Sequence, residues 1–204
     1  MYTLAQLKQA ARLKNTENRL DEIVEHHWSN IIPQQFIRLD PWEIEYLYNH
    51  ASKSTVGIQE IGRHHGGSTT VFANANTQAP IHTIDIDPTD DDFLIEMWSK
   101  MKVGENVNLI VGDSTSYQAT YNYDLLFVDG DHSYKGCLED LNNWYDNLTI
   151  GGSVICHDAY DERVSNAILD FTSNKKVEFV LDAKIPNHLT AKFGSLCHFI
   201  KKEN

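Results

Sequence analysis

Tyr123-Asp124-Leu125-Leu126-Phe127-Val128-Asp129-Gly130-Asp131-His132-Ser133-Tyr134 is the stretch whose reading decides the fold. Its apolar run is too short for a helix and stops abruptly at two carboxylates and an imidazole. A buried parallel strand bounded by a turn reads this way. In open α/β sheets, ligands bind outside the carboxyl ends of such strands. A second apolar run, Ser153-Val154-Ile155-Cys156, ends in His157-Asp158. Neighbouring strand ends carrying Asp129, Asp131, His132, His157 and Asp158 would form one polar floor, and the chemistry is expected there.

Upstream of this stretch, strands alternate with helices. Val56 to Gly62 reads as a strand, and Gly66-Gly67-Ser68 opens a helix. Ile81 to Asp87 is the next strand. The following helix starts after Pro88-Thr89, with Thr89 and Asp92 spaced as a capping box and Phe93, Leu94, Met97, Trp98 and Met101 on its apolar side. Val107 to Val111 is a third strand. Downstream, a helix from about Ser133 to Leu148 leads through a Gly151-Gly152 turn into Ser153–Cys156. A helix around Val164, Ile168 and Phe171 follows, and then strands at Val177–Leu181 and Leu196–Ile200. The last two strands have no helix between them, so they are expected to pair antiparallel. The alternation predicts a doubly wound, mostly parallel α/β sheet over 56–204.

Residues 1–55 differ, being helical in character with no convincing strand. Leu4, Leu7, Ala11, Leu20, Ile23, Val24 and Trp28 recur at helical spacing. Asp40-Pro41-Trp42-Glu43 is a helix start, with Asp40 as cap and Glu43 closing a capping box. Such an N-terminal helical extension can cover a site, make a dimer contact or extend the core. The sequence leaves these three open, and with them the question of a homo-oligomer.

Composition narrows the function classes. The 204 residues carry a formal net charge of −12, which opposes binding to a phosphate backbone. No apolar run approaches the length of a membrane span, and the N-terminus has neither a basic start nor an apolar signal core, so a cytoplasmic protein is expected. Cys137, Cys156 and Cys197 are odd in number and far apart, which suits buried free thiols rather than a disulfide framework or a thiolate zinc site.

Glu60-Ile61-Gly62-Arg63-His64-His65-Gly66-Gly67-Ser68-Thr69 runs from a strand through a glycine-rich turn into a helix start, an arrangement suited to nucleotide-type ligands. The spacing is not that of the dinucleotide fingerprint. Asp85, at the tip of the second strand about 20 residues after the glycines, is placed to hold ribose hydroxyls. Asp113-Ser114, at the tip of the third strand, can contact an adenine. Three strand tips together point to an adenosine-type ligand at the carboxyl edge of the sheet.

These motifs, with Asp129-Gly130-Asp131-His132-Ser133-Tyr134 and Gly151-Gly152 followed by His157-Asp158, resemble a class I S-adenosylmethionine-dependent methyltransferase, in the branch labelled methyltransferase family 24. The resemblance runs from about Pro41 to Cys197. It implies a Rossmann-like sheet of seven strands with the last one antiparallel. It further implies that Glu60, Gly62, Gly66, Ser68, Asp85, Asp113, Ser114 and Asp129 line the cofactor site. Related sugar and macrolide O-methyltransferases are similar here, and the resemblance implies a small-molecule hydroxyl, on a sugar or glycosylated metabolite, as acceptor.

By the same resemblance, Asp129, His157 and Asp158 would hold a divalent metal, and Asp131 or His132 would be the general base. His157 stands where those enzymes have an acid. Magnesium prefers oxygen, whereas manganese or iron accepts an imidazole, and a His157 turned toward the sheet would leave no metal site. Two other readings stay open: a non-catalytic S-adenosylmethionine-binding protein and a nicotinamide-dependent oxidoreductase, the latter opposed by the glycine spacing.

Overall fold

A computed structural model describes residues 36–75, 77–87, 90–181 and 196–203. The apolar periodicity expected between Leu4 and Trp28, and the Thr89 half of a capping box, lie outside the described residues. The elements are α1 (Pro41–Ala51), β1 (Ile58–Ile61), α2 (Gly67–Asn74), β2 (Ile81–Asp85), α3 (Asp91–Met101), β3 (Val107–Val111), β4 (Tyr123–Val128), α4 (Tyr134–Trp144), a 3-10 turn (Tyr145–Asn147), β5 (Leu148–Cys156), α5 (Glu162–Thr172), β6 (Val177–Leu181) and β7 (Cys197–Lys201).

The strands form one seven-stranded sheet in the order β3-β2-β1-β4-β5-β7-β6. Pairing is parallel except at β7, which runs antiparallel to both β5 and β6. The chain enters at β1, winds outward through β2 and β3, then returns to lay β4 against the other side of β1. That reversal is the switch point at which doubly wound sheets bind ligands.

Buried strands need apolar side chains on both faces, and β4 supplies them by alternation. Leu125 and Phe127 pack with Leu47, Tyr48, Val71, Phe72, Leu94 and Trp98 under α1, α2 and α3. Leu126 and Val128 pack with Leu141, Trp144, Val164 and Ile168 under α4 and α5. Helix α1 therefore shares the core of the sheet. Its start matches the sequence expectation: the Asp40 N–H donates to Glu43 Oε2 at 2.8 Å within a reciprocal capping box.

Three local expectations change. Phe93, placed on the apolar stripe of α3, is 40% exposed, because Leu94, Met97, Trp98 and Met101 take the inward face and Phe93 meets only the edge of Phe36. Gly151-Gly152 lies within β5, where the register jumps from Tyr123↔Leu148 to Leu125↔Ser153; the glycines form a bulge inside the strand. The helix expected to reach Leu148 ends at Trp144 in the 3-10 turn. There the Lys201 ammonium donates to the carbonyls of Tyr145 and Leu148 at 3.1 and 2.9 Å, satisfying acceptors that a helix end leaves open. All three cysteines are buried and free. No described helix is long and apolar enough to cross a membrane.

Candidate active site

The tips of β1 and β4 touch. Gly62 has φ +82°, and a Cβ there would stand 2.2 Å from the Asp129 carbonyl oxygen, so only glycine fits. The turn after it is held from below. Arg63, with no exposed side-chain surface, clamps Asp91 through Nε at 2.8 Å and Nη2 at 2.6 Å, and its Nη1 donates to the Ile110 carbonyl at 2.8 Å. The guanidinium thus ties the glycine turn to α3 and β3. Glu60 is fully buried, and its carboxylate accepts from Ser68 Oγ and Thr69 Oγ1 in the first turn of α2. Burial raises its pKa to about 7 against those hydrogen bonds. The structure places Glu60 beneath the glycine turn as its support, with Gly66 capping α2.

At the β2 tip, Asp85 accepts from the backbone N–H groups of His64 and Asp87, both at 2.8 Å. It joins the glycine turn to the second strand, and Ile86 beside it is bare at 75% exposure. At the β3 tip, Asp113 Oδ1 accepts from Thr115 N at 2.9 Å, and this turn holds its pKa below the usual carboxylate range. Ser114 Oγ donates to Asp140 Oδ1 at 2.6 Å. Burial pushes the Asp140 carboxyl up to about 6.

The β4 and β5 tips form the polar floor. His132, 43% exposed at its side chain, lies 3.3 Å from Asp129 Oδ1 through Nε2 and 3.3 Å from Asp158 Oδ2 through Nδ1. His157 lies behind it, 8% exposed, with Nδ1 at 3.2 Å from Asp129 Oδ1 and 3.4 Å from Asp158 Oδ2. Its Nε2 is 3.4 Å from Glu43 Oε2 of α1. The hydrogen bond that His132 donates to Asp129 raises the pKa of His132 against burial. Burial opposes charge on His157 as well, yet the surrounding acids hold its pKa well above the ordinary value. For Asp129, burial works against ionisation and the two imidazoles outweigh it, so its pKa is lowered. Asp158 follows β5 with φ +53°, a left-handed conformation that aspartate tolerates better than most residues.

A cavity of about 300 Å³ opens over this floor, lined by Phe36, Arg38, Leu39, Gly62, His64 and His132. Asp129, His157 and Asp158 line it too. Among the described residues, Asp129, His132 and Asp158 bring one ligand atom each within 4.8 Å of one another, a set suited to a cation.

The expected site residues thus divide. Asp129, His132, His157 and Asp158 come together with Gly62 and Ser68 around the cavity, while Asp85, Asp113 and Ser114 stand at the neighbouring tips. Asp131 does not face the cavity: its Oδ1 and Oδ2 accept from Ser133 N and Oγ at 2.9 and 2.7 Å at the start of α4. Glu43, Arg63 and Asp140 were missed as site residues. In the sequence Glu43 shows itself only as a cap, and Asp140 is detectable as an acid on the apolar stripe of Cys137, Leu141 and Trp144.

Residues 59–159 match the family described as a methyltransferase domain (Methyltransf_24). An uncharacterized protein of Acanthamoeba polyphaga mimivirus, R132, is 27% identical over 141 residues, covering 62% of this chain and 62% of the relative. The chain thus spans less than two thirds of that relative's length. Among solved structures, the Podospora anserina methyltransferase PaMTH1, determined with S-adenosylhomocysteine, gives a TM-score of 0.70 at 19% identity, over 98% of this chain and 95% of that one. The O-methyltransferase TomG of Streptomyces achromogenes, in complex with S-adenosylmethionine, gives 0.63 at 13% identity over 98% and 96%. An rRNA methylase from Streptococcus thermophilus gives 0.62 at 14% identity over 79% and 95%. At these identities the structural likeness establishes the fold alone.

Proposed function

We propose that this chain, whose residues 59–159 match a methyltransferase-domain family, transfers a methyl group from S-adenosylmethionine to a small-molecule hydroxyl, assisted by a divalent ion. The observation that carries this reading is the floor of Asp129, Asp158, His132 and His157 beneath a cavity bordered by the glycine turn. The residues fit the cosubstrate: Gly62 and Ser68 line the cavity, Asp85 offers a carboxylate at the β2 tip, and bare Ile86 offers an apolar face to a purine. S-adenosylmethionine supplies an activated methyl, so aligning the hydroxyl with it contributes much of the rate.

The fit to an ion rests on the convergence of His157 Nδ1 with the carboxylates of Asp129 and Asp158, at 3.2 and 3.4 Å. Both His132 and His157 approach the Asp129 and Asp158 carboxylates; the buried His157 would complete the donor set, and the ion would supply Lewis acidity toward the acceptor hydroxyl. His132, the more exposed imidazole, is then the general base that takes the hydroxyl proton. Asp131, engaged by Ser133, orients the turn that presents His132. The net charge of −12 favours a small molecule, such as a sugar or glycosylated metabolite, over RNA.

The test supplies S-adenosylmethionine with an isotope-labelled methyl group to the protein, with Mn²⁺ or with a chelator, against a panel of glycosides, phenols and RNA. Label on the oxygen of a small molecule, lost on chelation, supports the proposal. Label on RNA alone, or transfer indifferent to chelation, refutes the acceptor or the metal part respectively.

A further inference from the structure

Glu43 has no exposed surface and lies outside the matched domain, yet it reaches the floor of the site. Its Oε2 accepts from the Asp40 N–H at 2.8 Å and stands 3.4 Å from His157 Nε2. The remaining oxygen, Oε1, has no hydrogen-bond partner. The two nitrogens of an imidazole are inequivalent, and a carboxylate on one keeps the proton there, leaving the lone pair of the other for a ligand.

We infer that Glu43 is a positioning residue: it holds the Nε2–H of His157, so that Nδ1, which faces Asp129 and Asp158, is the nitrogen that gives up its proton to an incoming cation. The resulting donor set, one imidazole nitrogen with two carboxylates, selects a first-row transition ion such as Mn²⁺ over Mg²⁺. This rests on the metal-assisted reading above. It gives α1 a function at the site, because an acid on the first turn of that helix orients a ligand at the tip of β5. A carboxylate that accepts the N–H of a metal-bound imidazole raises the basicity of that imidazole.

The test measures Mn²⁺ and Mg²⁺ affinity on the full chain for the wild type, Glu43→Leu and Glu43→Gln, with S-adenosylhomocysteine affinity in parallel. Glu43→Leu should weaken Mn²⁺ binding about 10–100-fold. Glu43→Gln, whose carboxamide oxygen can accept the same N–H, should recover part of that loss, and S-adenosylhomocysteine affinity should stay unchanged in both. Wild-type Mn²⁺ affinity should exceed that for Mg²⁺. Because Glu43→Leu also removes the capping box and can impair folding, nitrogen NMR of the wild-type imidazole during Zn²⁺ titration provides a second readout. There, Nε2 should keep its proton while the Nδ1 resonance shifts.

Unchanged Mn²⁺ affinity in Glu43→Leu, or a proton on Nδ1 in the Zn²⁺-loaded protein, overturns the inference. A wild type that binds no transition ion overturns the metal reading and this inference together. The S-adenosylhomocysteine titration tests the methyl-transfer reading separately.

Discussion

Exchanging Glu60 for Gln should remove a pH dependence of stability that the fold builds in. Glu60 has no exposed surface, and burial holds its pKa at about 7 despite hydrogen bonds from Ser68 and Thr69. In the unfolded chain it returns to the ordinary 4.5, so the folded state binds its proton more tightly. The associated stability is fully present below pH 4.5 and is lost as pH rises through about 7. That gap is worth about 3 kcal/mol, at roughly 1.4 kcal/mol per pH unit for a buried group. Glutamine occupies the same space, can pair with the same hydroxyls and does not titrate. The stability of Glu60→Gln relative to the parent should therefore rise by about 2.5 kcal/mol between pH values near 5 and 8. Urea denaturation of both proteins across that range reads the difference directly, and titrations common to both cancel. A relative stability that does not change with pH would refute the assignment of Glu60 as a buried, late-titrating acid beneath the glycine turn.

Other substitutions probe the division of the site. Asp85→Ala removes the acceptor for the His64 and Asp87 amides, and calorimetry should show S-adenosylhomocysteine binding weakened about 10–100-fold, the value of a hydrogen bond to a charged group. His132→Ala should lower turnover by about 100-fold or more with little change in cofactor affinity, as loss of a general base does. Asp129→Asn should likewise impair turnover more than cofactor affinity. Steady-state kinetics with parallel binding would expose an equal loss of affinity in Asp85, Asp129 and His132 variants, which would undo that division. Asp91→Ala leaves the Arg63 guanidinium buried beside the Ile110 carbonyl without its carboxylate, and should cost about 3–5 kcal/mol of unfolding free energy.

The architecture is legible because the two strands that carry the floor, β4 and β5, end where their apolar runs end. Val128 gives way to Asp129, and Cys156 to His157, so both the sheet and the edge that carries the chemistry could be read from residue order. The Asp40–Glu43 capping box was equally local. Less legible was what depends on contacts distant in sequence. Glu43 reaching His157 spans 114 positions, and Arg63 clamping Asp91 spans 28. No spacing rule relates such pairs. Asp131 and His132 are adjacent, and only the Ser133 hydrogen bonds turn one toward α4 and leave the other over the cavity. Phe93 failed for a geometric reason: it lies one residue, about 100° of helix rotation, from Leu94, which takes the inward position.

The most direct test of the central claim is calorimetric titration of the full chain with S-adenosylhomocysteine, with NAD as control. Saturable binding of S-adenosylhomocysteine, abolished or strongly weakened in Asp85→Ala, together with no binding of NAD, is the result the account predicts. Binding of NAD in place of S-adenosylhomocysteine, or of neither, would contradict it and leave the carboxylates at the strand tips in need of a different ligand.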